Sequence, residues 1–184
     1  GDMPLLSVGV LRELVKRNEQ QQAAVALLTC LRHDAMGFGR VLRGTDAQVK
    51  AIVEERDATP EQLAIRELNV GVYCFRAAWL WPNIERLKAS PKGEYYLTDL
   101  VAIAAGQGEP VVATVVDDPA QVLGINDRVH LAAAERAVRA KTAESLMHGG
   151  VTIADPAHTY IDAGVVVGQD SIILPNTHLY GTTR

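Results

Sequence analysis

The strongest constraint on how this chain folds lies near its end, where Ile161, Val167, Ile173 and Leu179 recur at every sixth position. Four places after each stands a small or β-branched residue: Val165, Ser171, Thr177 and Thr183. Neither the 3.6-residue period of a helix nor the alternation of an ordinary strand produces a repeat of six. A triangular left-handed parallel β-helix does, because each six-residue step forms one face of a prism. The aliphatic residue then points into a narrow core, and the second inward position admits only small groups. The competing account is chance spacing in a β-rich tail, and four successive registers favour the β-helix. So short a solenoid cannot bury its open end, which predicts that the coil continues or is capped.

Upstream, positions 127–148 contain neither Gly nor Pro, are rich in alanine, and run into Gly149-Gly150. That pattern predicts a helix roughly 33 Å long closed by a glycine C-cap. Its apolar stripe is mostly alanine, too thin to organise a bundle, so it reads as a connecting helix lying on its neighbours. The earlier sequence alternates strand and helix signals. Ala23–Leu31 is an apolar run broken only by Thr29 and reads as a buried strand. Arg40–Arg43 and Gln48–Val53 flank Gly44-Thr45-Asp46 as a hairpin. Asn69–Phe75 and Pro110–Val116 read as strands, and Ala77–Leu87 and Tyr95–Ala105 as helices. Ser7 is placed to cap a first helix with Val8, Leu11, Leu14 and Val15 on one side. The expected architecture is α/β with a mainly parallel or mixed sheet.

A net charge of −4 and a pI near 5.7 argue against a nucleic-acid partner, which usually meets a basic face. No apolar run reaches the roughly 20 residues of a membrane helix, and the first residues lack a signal-peptide pattern. Cys30 and Cys74 stand far apart in apolar surroundings and read as reduced thiols of a cytoplasmic protein. His33, His130, His148, His158 and His178 show no ligand spacing, and no serine sits in a Gly-x-Ser-x-Gly context. Trp79 and Trp81, beside Pro82, read as packing anchors.

Several segments, in order, carry a family resemblance: Gly1-Asp2-x-Pro4-Leu5-Leu6, Gly37-Phe38-Gly39-Arg40-Val41, Ile52-Val53-Glu54-Glu55-x-Asp57-Ala58-Thr59, Glu67-Leu68-Asn69-x-Gly71-Val72-Tyr73-x-Phe75, Gly93-Glu94-Tyr95-Tyr96-Leu97-Thr98-Asp99 and Gly124-Ile125-Asn126-Asp127-Arg128. With the hexapeptide tail, the whole chain resembles the bacterial bifunctional enzymes that join an N-acetylglucosamine-1-phosphate uridylyltransferase to a glucosamine-1-phosphate acetyltransferase. The resemblance implies a partial Rossmann-like nucleotidyltransferase domain with a mixed sheet over residues 1–125, a linker helix over 126–150, and the first turns of the β-helix over 151–184. It implies that the family's glycine-rich phosphate loop would lie upstream of Gly1 and the acetyl-CoA site farther downstream. No intact catalytic set is therefore expected, and the 184-residue chain alone is expected to show negligible pyrophosphorylase activity.

The implied reaction joins UTP and N-acetylglucosamine 1-phosphate into UDP-N-acetylglucosamine and pyrophosphate, in a pathway supplying cell-envelope precursors. In-line attack at the α-phosphorus needs positioning and charge neutralisation, for which Mg²⁺ is the expected cofactor. By resemblance, Gly1 and Asp2 lie at the substrate, and Asp2 and Asn126 ligate the metal. Read alone, Asp2 equally suits a turn, and Asn126 suits the N-cap of the long helix. Gly39 is matched to the glycine whose amide meets substrate; Phe38 stands where the family usually has tyrosine. Glu54 and Asn69 are matched to the residues holding the sugar and its acetamido group. A solvated Glu54-Glu55 pair and a turn asparagine are the plainer readings. Thr98 would add a hydroxyl; a helix-interior threonine is its alternative. A nucleotidyltransferase for another sugar 1-phosphate, or a non-catalytic binding or trimerisation module, remains open. The family's β-helices form homotrimers.

Overall fold

Strand β1 (Val25–Leu31) is buried along six of its seven residues, as its unbroken apolar run demands. The computed structural model describes residues 3–35, 37–90 and 93–184, and divides the chain into two units. One runs from Leu6 to Val122; the other joins residues 1–5 to Leu123–Arg184.

In the first unit, α1 (Val8–Gln20) precedes β1. After it come β2 (Arg40–Arg43), β3 (Val49–Val53), a short α2 (Pro60–Leu63) and β4 (Glu67–Phe75). Then follow α3 (Ala77–Ile84), α4 (Asp99–Gly106) and β5 (Val111–Val115). The five strands form one sheet in the order β3-β2-β4-β1-β5. Only β1 and β5 run parallel; the other pairs are antiparallel, so the sheet is mixed. Trp79, Leu100, Val101 and Ala104 from α3 and α4 close over Val25 and Leu27 in one apolar core. The Trp79 indole donates to Gln107 Oε1 at 2.7 Å, whereas Trp81 is exposed and anchors nothing.

Three expectations about helices need correction. Ser7 does cap α1, accepting from Val10 N–H, but the helix turns its expected apolar stripe outward: Val8, Leu11 and Val15 are exposed. It is held by Leu14 and by Asn18, whose amide donates to the carbonyls of Ala23 and Cys74. The α3 helix stops at Ile84, beyond which the Arg86 and Leu87 N–H groups donate only three residues back, to the carbonyls of Asn83 and Ile84. Helix α4 begins at Asp99, four residues after the expected start. Tyr95 is engaged in an antiparallel bridge to Ala89, and the Tyr96 hydroxyl donates to Glu94.

The second unit contains α5 (Arg128–His148) and four two-residue strands: β6 (Thr152–Ile153), β7 (Tyr160–Ile161), β8 (Ile172–Ile173) and β9 (His178–Leu179). Asp127, not Asn126, is the N-cap of α5; its carboxylate accepts from His130 N–H at 2.8 Å. Strands β7 and β9 pair in parallel at an offset of 18 residues, and β6 and β8 at an offset of 20. Ile161, Val165 and Ile173 are buried together, with Val167 and Leu179 packed on them. Ala143 and Leu146 of α5 join that core, so the helix lies on the first repeats. Because β7 and β9 are in register, the Tyr160 and His178 rings stack at 4.5 Å and 2°, close to the spacing of paired strands. The Arg139 guanidinium lies over the other side of this column, 4.1 Å from the Tyr160 ring centre. Cys30 and Cys74 are free thiols, both held protonated above the ordinary range mainly by burial.

Leu28 is fully buried and Leu11 is not. Leu28→Ala is expected to lower unfolding free energy by about 2–5 kcal/mol, and Leu11→Ala by under about 0.5 kcal/mol. Denaturant titrations of the two variants give the comparison.

Candidate functional site

The hairpin that carries Gly39 and Glu54 is pulled tight by a single buried cation. Arg40, 3% exposed, donates from its guanidinium to the Phe38 carbonyl and, at 3.1 Å, to the Glu55 carboxylate. Phe38 and Glu55 are the outer neighbours of Gly39 and Glu54, so one side chain fixes both segments. Among the described residues Arg40 Nε has no partner of its own. At Gly39 the backbone passes so near the adjacent strand that a Cβ would lie 3.0 Å from Ile52 Cγ2 and 3.1 Å from the Val53 carbonyl oxygen. Glu54 Oε2 would lie 3.6 Å from the same point.

Glu54 is half-buried at the end of β3. Its Oε1 accepts from the Thr98 hydroxyl at 2.9 Å. Thr98 is the N-cap of α4, yet its side chain makes no capping bond. A threonine there would ordinarily accept from the first-turn amides. Here Thr98 is itself in the helical region, the Asp99, Leu100 and Val101 N–H groups donate to the carbonyls of Tyr96, Leu97 and Thr98, and the hydroxyl donates to a carboxylate, which orients Glu54.

Asn69 joins the same cluster from β4. Its N–H donates to the Gly39 carbonyl at 2.8 Å. Its side-chain Oδ1 accepts two bonds, from Gly71 N–H at 3.1 Å and from the Tyr73 hydroxyl at 2.9 Å. In a regular strand, residues four apart lie roughly 13 Å apart. The distance collapses because β4 carries two extra residues against β1: Tyr73 faces Leu27 and Asn69 faces Thr29. Gly71, at φ +82°, makes the bend, and the Asx-type contact from Asn69 closes it. Tyr73 packs against the sheet core, stacked on Phe75 at 5.5 Å. Its phenol is pushed far above the usual range, first by burial and further by the Glu54 charge.

Four of the residues singled out from sequence therefore converge: Gly39, Glu54, Asn69 and Thr98. Tyr73 is a member that sequence reading missed; the signal was the Asn-x-Gly bend, which folds the strand back on itself. Gly1 and Asp2 lie outside the described residues. Asn126 is exposed beside the α5 N-cap, in the other unit, and capping by Asp127 leaves its amide uncommitted to that role. Among the described residues no group of three or more His, Cys, Asp or Glu could hold a metal ion. The oxygen of Asn126 is a suitable hard donor for Mg²⁺, but one such donor is not a site. A cleft of about 630 Å³ in the first unit lies elsewhere, lined by Arg86, Lys88, Asp99 and Ile103.

Chemically the cluster offers mixed polarity: a carboxylate that only accepts and a carboxamide nitrogen that only donates. That combination suits a neutral polyhydroxy ligand better than a metal or a simple anion.

No family model matches the sequence. Among curated proteins, it is 46% identical over 185 residues to the bifunctional protein GlmU of Geobacter metallireducens, and 43% identical to that of Pelobacter propionicus. Each match covers this whole chain but only 39% and 40% of the relative, so the chain spans about two fifths of their length. Among solved structures, it superposes on an Entamoeba histolytica protein described as a UDP-N-acetylglucosamine pyrophosphorylase. The TM-score is 0.61 at 9% identity, covering 91% of this chain and 52% of that one. A Bacillus anthracis protein described as a glucose-1-phosphate thymidylyltransferase gives 0.52 at 20% identity, over 70% of this chain and 49% of that one. At these identities the likeness is one of fold.

Two outcomes follow from the geometry. Gly71→Ala places a Cβ at positive φ and is expected to cost about 1–2 kcal/mol in denaturant unfolding. In an alkaline titration followed by tyrosine absorbance, Tyr73 is expected to ionise last of the five tyrosines. Its folded state holds the proton above the unfolded value, so its contribution to stability is complete below about pH 10 and is lost as pH rises beyond that.

Proposed function

We propose that this chain forms part of a sugar-nucleotide transferase and that the cluster around Glu54 and Asn69 binds the sugar of an N-acetylglucosamine 1-phosphate or UDP-N-acetylglucosamine ligand. The observation that carries this reading is the convergence of two hydrogen-bonded pairs: Asn69 N–H donates to the Gly39 carbonyl at 2.8 Å, the Thr98 hydroxyl donates to Glu54 at 2.9 Å, and Glu54 Oε2 lies 3.6 Å from the point a Cβ on Gly39 would occupy. A plain structural cluster would satisfy its own polar atoms; this one leaves the Asn69 amide donor unspent among the described residues. The GlmU relatives and the nucleotidyltransferase-like fold support the transferase class.

In this reading Glu54 accepts from sugar hydroxyls, Asn69 donates to an oxygen of the ligand, and Thr98 keeps the carboxylate in place. Asp2 and Asn126 are the side chains that would hold Mg²⁺, which supplies neutralisation of phosphate charge when bound. The repeats of residues 151–184 begin a left-handed β-helix of the kind that assembles as a trimer. The uridylyl transfer from UTP, with its cell-envelope role in the cytoplasm, belongs to the longer protein.

Isothermal titration of the chain with N-acetylglucosamine 1-phosphate, with glucose 1-phosphate as control, tests the sugar site. Saturable binding is expected for the acetamido sugar. Glu54→Gln and Asn69→Ala are each expected to weaken it by about tenfold or more, since each strands a ligand polar group. Equal binding of both sugar phosphates, or none, would count against the reading.

A further inference from the structure

The cleft of about 630 Å³ lies between the segment that follows α3 and the first turns of α4, and shares no lining residue with the Glu54–Asn69 cluster. Leu87 and Ile103, packed against the sheet core, give it apolar walls. Four ionic side chains share the lining: Glu85, Arg86 and Lys88 on one wall, Asp99 on the other. Both signs face the same space, yet none of the four forms an ion pair among the described residues. Asp99 is only part-exposed, and burial holds its carboxyl above the usual range with no cation to offset it. Arg86, by contrast, is anchored. Its Nη1 donates at 3.2 Å to Oδ1 of Asn83, a residue 8% exposed. That oxygen also accepts from Gln107 Nε2 at 2.7 Å, and the Asn83 amide donates to the Trp79 carbonyl at 2.8 Å. The Trp79 indole closes the ring of contacts through Gln107 Oε1. A satisfied, buried network thus holds the guanidinium while engaging only one of its five N–H donors.

We propose that this cleft is a second binding site, for a small phosphorylated polyol, in which Arg86 and Lys88 take the phosphate and Asp99 accepts from hydroxyls at the other end of the molecule. The lining disfavours simpler occupants. Among the described residues no group of three or more His, Cys, Asp or Glu could hold a metal ion. An organic cation would meet Arg86 and Lys88, and an inorganic anion would leave Asp99 unmatched. A phosphate monoester carries about two negative charges near neutral pH, which suits two cations, and its oxygens can take two N–H bonds from one guanidinium. Hydroxyls suit Asp99 because an ionised carboxylate only accepts, and Glu85 adds a second acceptor. Leu87 and Ile103 give the carbon chain an apolar surface to lie on. The volume falls within the range of ordinary small-molecule sites.

The experiment titrates the ¹⁵N-labelled 184-residue chain with sorbitol 6-phosphate, inorganic phosphate and sorbitol, following backbone amide resonances. Sorbitol 6-phosphate is expected to shift the amides of Arg86, Lys88, Asp99 and Ile103 saturably. Inorganic phosphate is expected to bind the same place about fivefold or more weakly, and sorbitol not at all. Arg86→Gln and Lys88→Gln are each expected to weaken both phosphates by about tenfold. Asp99→Ala separates a built site from a charged surface. It is expected to bring sorbitol 6-phosphate down to the affinity of inorganic phosphate, whose own binding does not fall. Far-UV circular dichroism of each variant, expected to match the wild type, ties the losses to the cleft. Absence of saturable shifts, shifts centred on Glu54 and Asn69, undiminished binding in the Arg86 and Lys88 variants, or an equal loss of both phosphates in Asp99→Ala would each overturn the proposal.

Discussion

Burial of β1 on both faces is the constraint that orders the rest of the first unit. A strand with water on neither side needs partners along both edges and covering layers above and below. Strand β5 supplies one edge in parallel and β4 the other in antiparallel. Leu14 of α1, and Trp79, Leu100 and Val101 of α3 and α4, supply apolar cover, while Asn18 of α1 donates to the carbonyls of Ala23 and Cys74. The same requirement holds β4 rigid along one side, so the two surplus residues at Gly71 cannot be smoothed away by sliding. They are forced into a bend, and the bend brings Tyr73 to Asn69.

Around that bend, local rules are broken in a consistent direction. The Thr98 hydroxyl is spent on Glu54, Arg40 is buried with Nε unpaired among the described residues, and Tyr73 sits near a carboxylate that opposes its ionisation. Natural proteins concentrate such exceptions where a ligand makes up the difference. The exceptions here share one neighbourhood.

Much of this was readable from the amino acids. The apolar run of β1, the Gly44-Thr45-Asp46 hairpin and the uninterrupted helix before Gly149 each bear a local signal that tertiary contacts do not contest. The six-residue spacing was legible too, because only a periodic backbone repeats inward positions so regularly; Ile161, Val165 and Ile173 are buried as the period requires. What escaped were features decided by distant partners. The α1 stripe looked like a core face, but its helix is held through Leu14 and an asparagine amide. The start of α4 was hidden because Tyr95 and Tyr96 have helix-compatible neighbours yet are engaged by Ala89 and Glu94. Tyr73 looked like any inward tyrosine of a strand, since alternation assigns a face but not a reach.

The unequal offsets of the parallel pairs, 18 residues for β7 with β9 and 20 for β6 with β8, bear on how the tail tolerates length changes in evolution. The two surplus residues fall between Ile153 and Ile161, where the chain turns through Pro156–His158. The turn between these strands can therefore absorb small insertions. A single residue added between β7 and β9 within their paired stretch would shift the register and unstack Tyr160 from His178.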